Sequence, residues 1–219
     1  MPRLRHAVAL GAAVLLLSVG YSAHGKIVNR ILAIVNYEVI TEGDLGRLLD
    51  EHVQALRVYD GKSLEEATRI AESQRAELLD NVIAAALLDQ EARRQAQENP
   101  ALQVPQVALD EEIRQFRRER QLTDDAEFER TLRAQGYTQA TFRREMLKNV
   151  RVRELIKREL IPRLHVTDAE VIQYQAAHQI ADKSAAREAL RNERFLEERE
   201  RYIQSLRKKA FVKLLVRFE

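Results

Sequence analysis

Backbone breakers are scarce in this chain. Beyond residue 25 it carries only four glycines (Gly43, Gly46, Gly61, Gly136) and three prolines (Pro100, Pro105, Pro162). So few interruptions over that length predict long helices joined by short connections. Strand-like patterns occur only at the two extremes. Near the start, an apolar run from Ile31 to Val35, an Asn36-Tyr37 turn and a short run from Glu38 to Ile40 read as a β-hairpin. At the end, Val212, Leu214, Val216 and Phe218 alternate with Lys213 and Arg217, the pattern of a strand with one apolar face. A lone terminal strand would leave its backbone donors and acceptors unpaired. The fold class that follows is mainly α, with a small β-sheet pairing the N-terminal hairpin with the C-terminal strand.

Between these ends the apolar spacing predicts helices over residues 41–59, 64–97, 110–120, 124–135, 138–161 and 185–209, with a short one after Thr167. Thr41 followed by Asp44 is an acidic variant of the capping box, and Ser63 with Glu66 and Thr167 with Glu170 repeat it. Residues 82–88 (VIAAALL) are apolar on almost every side and should form the most buried helical segment. No capping side chain precedes the acidic run Asp110-Glu111-Glu112, because Leu109 stands there, so the helix is expected to start at Asp110. Gly136 reads as a left-handed C-cap and Pro162 as a stop.

The first 25 residues read as a cleavable export signal. Arg3 and Arg5 form a positive start, residues 7–19 are apolar, and Ala23 and Gly25 are the small residues of a cleavage site. The apolar run falls short of the ~20 residues that span a bilayer, so no membrane span is expected in the mature chain. The whole chain has 36 basic and 34 acidic residues, and loss of Arg3 and Arg5 makes the remainder formally neutral. That balance argues against nucleic acid as a partner. Charge is nevertheless uneven. Residues 31–92 hold 5 basic and 13 acidic side chains, residues 93–163 hold 16 and 12. There is no cysteine, hence no disulfide. No nucleotide loop, nucleophile elbow or zinc spacing occurs, and His165 and His178 stand in no triad or ligand spacing. Catalytic residues, metal and cofactors are accordingly assigned as none. Arg114, Arg117, Arg118 and Arg120 are interleaved with Glu111, Glu112 and Glu119, which reads as a salt-bridged solvated face rather than a phosphate site.

Several segments, taken in order, resemble the SurA-type periplasmic chaperones. They are Val35-Asn36 through Val39-Ile40-Thr41 to Asp44-Leu45; Leu87-Leu88-Asp89-Gln90-Glu91-Ala92; the run from Phe128 through Gly136-Tyr137-Thr138 to Phe142-Arg143; His165 to Val171; and Arg194-Phe195 to Val212. The resemblance implies a multi-helix SurA-N-like, trigger-factor-C-like core. It also implies a single domain over residues 26–219: a core at 26–177, a short linker at 178–184, and a terminal helix and strand at 185–219. In that family one or two parvulin isomerase domains are inserted where this chain has only the linker. A folded domain needs at least about 50 residues, so prolyl isomerase activity is not expected.

The function implied is an ATP-independent holdase for unfolded outer-membrane proteins or peptides in the periplasm. The alternative is a non-enzymatic envelope assembly or adaptor subunit that binds a folded partner. Homo-oligomerisation is left open by the sequence. Tyr137, Phe142 and Met146 are the candidate client-binding residues, because aromatic and flexible side chains suit promiscuous apolar contact. Their helical spacing suits core packing equally well.

Overall fold

The computed structural model describes residues 30–218, among which lie eight α-helices and three strands. The export signal, with Ala23 and Gly25, lies outside the described residues. Strands β1 (Ile31–Val35), β2 (Glu38–Thr41) and β3 (Val212–Leu214) form one antiparallel sheet in the order β2-β1-β3. Ala33 lies opposite Ile40 on one side and Leu214 on the other. The two chain ends are thus joined as expected. Asn36 takes the left-handed conformation that the two-residue hairpin turn requires, at φ 55°.

The terminal strand is shorter than the alternation over residues 211–218 suggests. Leu32 accepts a hydrogen bond from the Leu215 amide at 2.8 Å, and there the ladder ends, level with the irregularity between Ile31 and Ala33 in the pairing of β1 with β2. Val212 and Val216 pack on the core. Leu214, expected on the same buried face, is 58% exposed, and the Phe218 ring lies 5.7 Å beneath the Arg75 guanidinium.

Helix α1 (Glu42–Tyr59) starts where its cap predicts: the Asp44 carboxylate accepts from the Thr41 amide at 2.9 Å and from its hydroxyl at 2.7 Å. The single helix expected over residues 64–97 is two, α2 (Leu64–Ser73) and α3 (Arg75–Glu98). Gln74 marks the break without any glycine or proline. Its side chain meets His52 of α1 at 2.7 Å, and the Ser73 hydroxyl donates back to the Ile70 carbonyl at 2.7 Å, a bond that loosens helical continuity. The bend lets Ala67 and Ala71 pack beneath α1 while Leu79, Ile83 and Leu87 enter the main core. At the start of α2, Ser63 accepts from the Glu66 amide, but the Glu66 carboxylate pairs with Lys62 at 2.8 Å instead of closing the box.

Helix α4 (Gln106–Glu119) begins four residues before Asp110. Pro105 supplies a φ of −62° and its carbonyl accepts from Leu109 at 3.1 Å. Leu109 is therefore the first inward residue of a helix already under way, only 2% exposed. Helices α5 (Asp125–Ala134), α6 (Gln139–Leu160), α7 (Asp168–His178) and α8 (Lys183–Arg207) complete the fold. The last starts at Lys183 rather than residue 185, because Asp182 caps it through the Ser184 and Ala185 amides.

Two apolar clusters result. The larger unites the sheet, α1, α3, the second half of α6 and the end of α8 around Leu32, Leu45, Ile83, Leu155 and Leu160. The smaller joins α4, α5 and the first half of α6 around Phe128, Leu132 and Phe142. Among the described residues no helix is long and apolar enough to cross a membrane.

Candidate functional site

Helix α6 belongs to both clusters, and a cleft opens beside its first half. The cleft encloses about 520 Å³. One wall is Glu38, Val39 and Ile40 of β2 with Asp44, Arg47, Leu48 and Glu51 of α1; the other is Tyr137 with Thr141, Arg144, Glu145 and Lys148 of α6. The floor is Asn81, Val82, Ala85 and Ala86 of α3. Its apolar side chains are small, which leaves the floor broad and shallow. Long charged side chains line the rim, acidic mainly on the β2–α1 wall and basic mainly on α6. Arg47 pairs with Asp44 at 2.6 Å and Lys148 stands 3.9 Å from Glu145, so both are held along their own helices.

Local sequence explains how Tyr137 reaches this wall. Gly136 adopts φ +76° at the end of α5, a conformation costly for any residue with a Cβ. The Tyr137 amide then bonds the Leu132 carbonyl at 2.8 Å, and Thr138 caps α6 through the Thr141 amide at 3.1 Å. Tyr137 is fixed between two helix ends, half-buried, with its ring edge-on to Phe142 at 6.5 Å. The three sequence-predicted residues do come together, but differently placed. Phe142 is 8% exposed at the centre of the small cluster, in contact with Phe116 at 5.1 Å and Phe128 at 5.5 Å between centroids. Met146 is half-buried against the same cluster. Of the three, Tyr137 alone lines the cleft.

Polar residues that sequence reasoning passed over fix the wall opposite. Asp89 and Gln90 follow the apolar run of α3 and are buried. The Gln90 amide donates to the Val35 carbonyl at 3.1 Å and to Glu38 at 3.2 Å, while Asn36 donates to Gln90 at 2.7 Å. The Asn36 side chain in turn accepts from the Phe211 amide at 2.8 Å. Asp89 holds Arg93 at 2.9 Å and Arg151 of α6 at 3.1 Å, and Arg93 also reaches Glu38 at 3.1 Å. Hairpin, terminal strand, α3 and α6 are thereby tied through one network. The only sequence signal for it was a carboxylate and an amide placed directly after the most apolar stretch.

Nothing in the cleft is arranged for covalent chemistry. His52 bonds Gln74, His178 stacks on Tyr174 at 4.0 Å, and His165 is exposed. Among the described residues no group of three or more His, Cys, Asp or Glu could hold a metal ion. The arginines of α4 are occupied. Arg114 and Arg118 share Glu111, whose carboxyl they hold below its usual range, and Arg117 binds Asp125 at 2.6 Å and covers Phe128.

A helical body closed by a sheet of both chain ends thus carries a shallow cleft beside a smaller helical lobe. Residues 4–156 match the SurA-like N-terminal domain, and the chain belongs to that family. It is 30% identical over 152 residues to a protein named Chaperone SurA from Cupriavidus pinatubonensis, covering 69% of this chain and 28% of the relative. It is 25% identical over 165 residues to a Chaperone SurA from Albidiferax ferrireducens, covering 75% of this chain and 34% of that protein. The matched part thus spans about a third of the curated relatives. The described residues include no parvulin domain: residues 179–182 alone separate α7 from α8.

Proposed function

We propose that this protein is a periplasmic holdase that binds unfolded outer-membrane proteins in the cleft between β2, α1, α3 and α6, without nucleotide and without catalysing prolyl isomerisation. The observation that carries this reading is the cleft itself: a floor whose apolar side chains, Val82, Ala85 and Ala86, are small, with charged side chains on both rims, in a chain of the SurA-like family. Strands of outer-membrane barrels alternate apolar and polar side chains. An extended strand of that kind can set its apolar face on Val82 and Ala85 while its polar face meets the rim. Tyr137 supplies amphipathic contact at one wall, with Phe142 and Met146 supporting it from behind. The export-signal pattern of residues 1–25 supports the compartment.

Holding needs no energy source. A species that binds the unfolded client draws the client away from aggregation by mass action, and a micromolar affinity corresponds to about −8 kcal/mol. Such an affinity is tight enough to delay aggregation and weak enough to release. Light scattering of an unfolded β-barrel protein, diluted from urea with an equal amount of this protein, is expected to rise several-fold more slowly than with an inert control. Scattering that matches the control would remove the holdase reading and favour the adaptor. A protease-coupled peptide assay is expected to show no isomerase rate above background.

A further inference from the structure

We propose that the outer edge of β3 is a second docking site, one that adds an extended, acid-flanked polypeptide strand to the sheet. The proposal is independent of whether the cleft holds clients. The register determines which backbone groups are free. Ile34 lies opposite Lys213, the Asn36 amide donates to the Phe211 carbonyl at 2.7 Å, and the Leu215 amide donates to the Leu32 carbonyl at 2.8 Å. Alternation in an antiparallel ladder then turns residues 211, 213 and 215 toward β1 and the backbone groups of Val212 and Leu214 outward. Among the described residues those outward groups meet no protein partner. At the other edge β2 passes into α1 directly after Thr41, which leaves little room for an added strand.

Side chains beside the β3 edge suit an incoming strand. A hollow of about 320 Å³ is lined by Asp80, Ile83, Arg207, Ala210, Val212 and Leu214, space for alternate apolar side chains of a docked segment. Backbone pairing would supply affinity and this hollow a preference for alternation, the general logic of strand addition.

Charge selects the occupant. Residues 207–218 contain Arg207, Lys208, Lys209, Lys213 and Arg217 and no acidic residue. Arg207 is paired with Asp80 at 2.5 Å, whereas Lys208, Lys213 and Arg217 form no ion pair among the described residues. An edge lysine is a common guard against unwanted pairing. Here a second copy would bring the same cationic run against itself, so the guard excludes self-association while attracting a strand flanked by glutamate or aspartate.

The test uses a fluorescein-labelled peptide of alternating valine and threonine with two glutamates at each end, titrated into the purified protein by anisotropy. Saturable binding is expected, with a lysine-ended twin at least tenfold weaker. Leu214→Pro removes only an outward amide, a substitution edge strands tolerate, and is expected to weaken binding at least tenfold with an unchanged melting temperature. Should that variant misfold, the peptide itself decides the matter. N-methylation at alternate residues leaves one edge intact and should preserve binding, and N-methylation at every residue should abolish it. Tyr137→Ala, which alters the cleft, should leave the preference for the glutamate-ended over the lysine-ended peptide unchanged. Equal affinity for both peptides, full binding by the folded proline variant or by the fully methylated peptide, or loss of the preference for the glutamate-ended peptide in Tyr137→Ala would each overturn the proposal. So would a concentration-dependent dimer in sedimentation that Leu214→Pro dissolves.

Discussion

The body and the smaller lobe of this protein are held together by different means. In the body, partners come from far apart in the chain: Asn36 joins Gln90 and Phe211, Asp89 joins Arg151, and β1 pairs with its sequence neighbour β2 and with the distant β3. In the lobe, three phenylalanines from α4, α5 and α6 meet around Phe142, and most ion pairs are local. Arg143–Asp110 at 2.6 Å and the Arg153–Glu112 pair fasten α4 to α6. A region with a small apolar cluster and exposed polar contacts opens at lower free energy than one built around a large buried core. The cleft lies between the two, with a wall from each.

The strongest way to break this comparison is to open the body. Removing residues 211–219 takes away the ladder to β1, the packing of Val212 and Val216, and the cover over Ala33 and Val35. Net hydrogen bonds are worth about 1 kcal/mol each, and partly burying two valines adds about 2 kcal/mol more. A loss of about 4 kcal/mol is therefore expected, read as a urea midpoint shift. Retention of the full-length midpoint would show the strand to be dispensable. Asp89→Ala comes next. It strips Arg93 and Arg151 of a buried acceptor, and breaking such a pair from one side costs about 3 kcal/mol, which for a chain of this size lowers Tm by roughly 6–12 °C.

Phe142→Ala tests the lobe instead. Phenylalanine truncation in a core costs about 3–5 kcal/mol, and the smaller cluster places this one nearer about 2–3 kcal/mol. Hydrogen exchange should accelerate through α4, α5 and the start of α6 while β1 and α3 keep their protection. Uniform acceleration would mean that lobe and body unfold as one unit.

Much of the body was legible because its constraints are chemical and local in form. Unpaired strand donors at residues 211–218 demanded a partner, and the only other strand pattern was at residues 31–40. Thr41 and Thr167 announced their helices because capping needs specific oxygens, and the helices expected from residues 124 and 138 are capped by Asp124 and Thr138. The α2–α3 break was hidden because no glycine or proline marks Gln74; it follows from His52 and from the two faces those helices must bury. Asp89 and Gln90 carry no local sign of burial, and only their distant partners make them interior. The cleft was invisible for the same reason, since residues 38–51, 81–86 and 137–148 meet only after packing. Tyr137 was accessible to sequence reasoning through the Gly136 turn, but nothing local separates it from Phe142, which the fold buries.

The smallest expected effect concerns a third region, the α7–α8 hairpin, which tests whether surface ion pairs alone can set local order. The Glu170 carboxyl is pulled from 4.5 to about 2, first by its hydrogen bond from Arg194 and then by the Thr167 hydroxyl and amide. Asp168 is lowered as well, first by Arg187 and then by Lys183. For a carboxylate depressed in the folded state, the stabilisation is present above the unfolded value and is lost as pH falls through the folded one. Protection of α7, corrected for intrinsic exchange, should therefore decline between pH 4.5 and about 2 while β1 and α3 hold theirs. Because both carboxylates are solvent-exposed, the step should be small and shrink further in salt. Glu170→Gln should weaken the cap and the Arg194 pair at neutral pH and flatten the acid step. An acid response of α7 that survives intact in this variant would assign the hairpin's order to Val171 and Ala186, which are fully buried, and not to its charges.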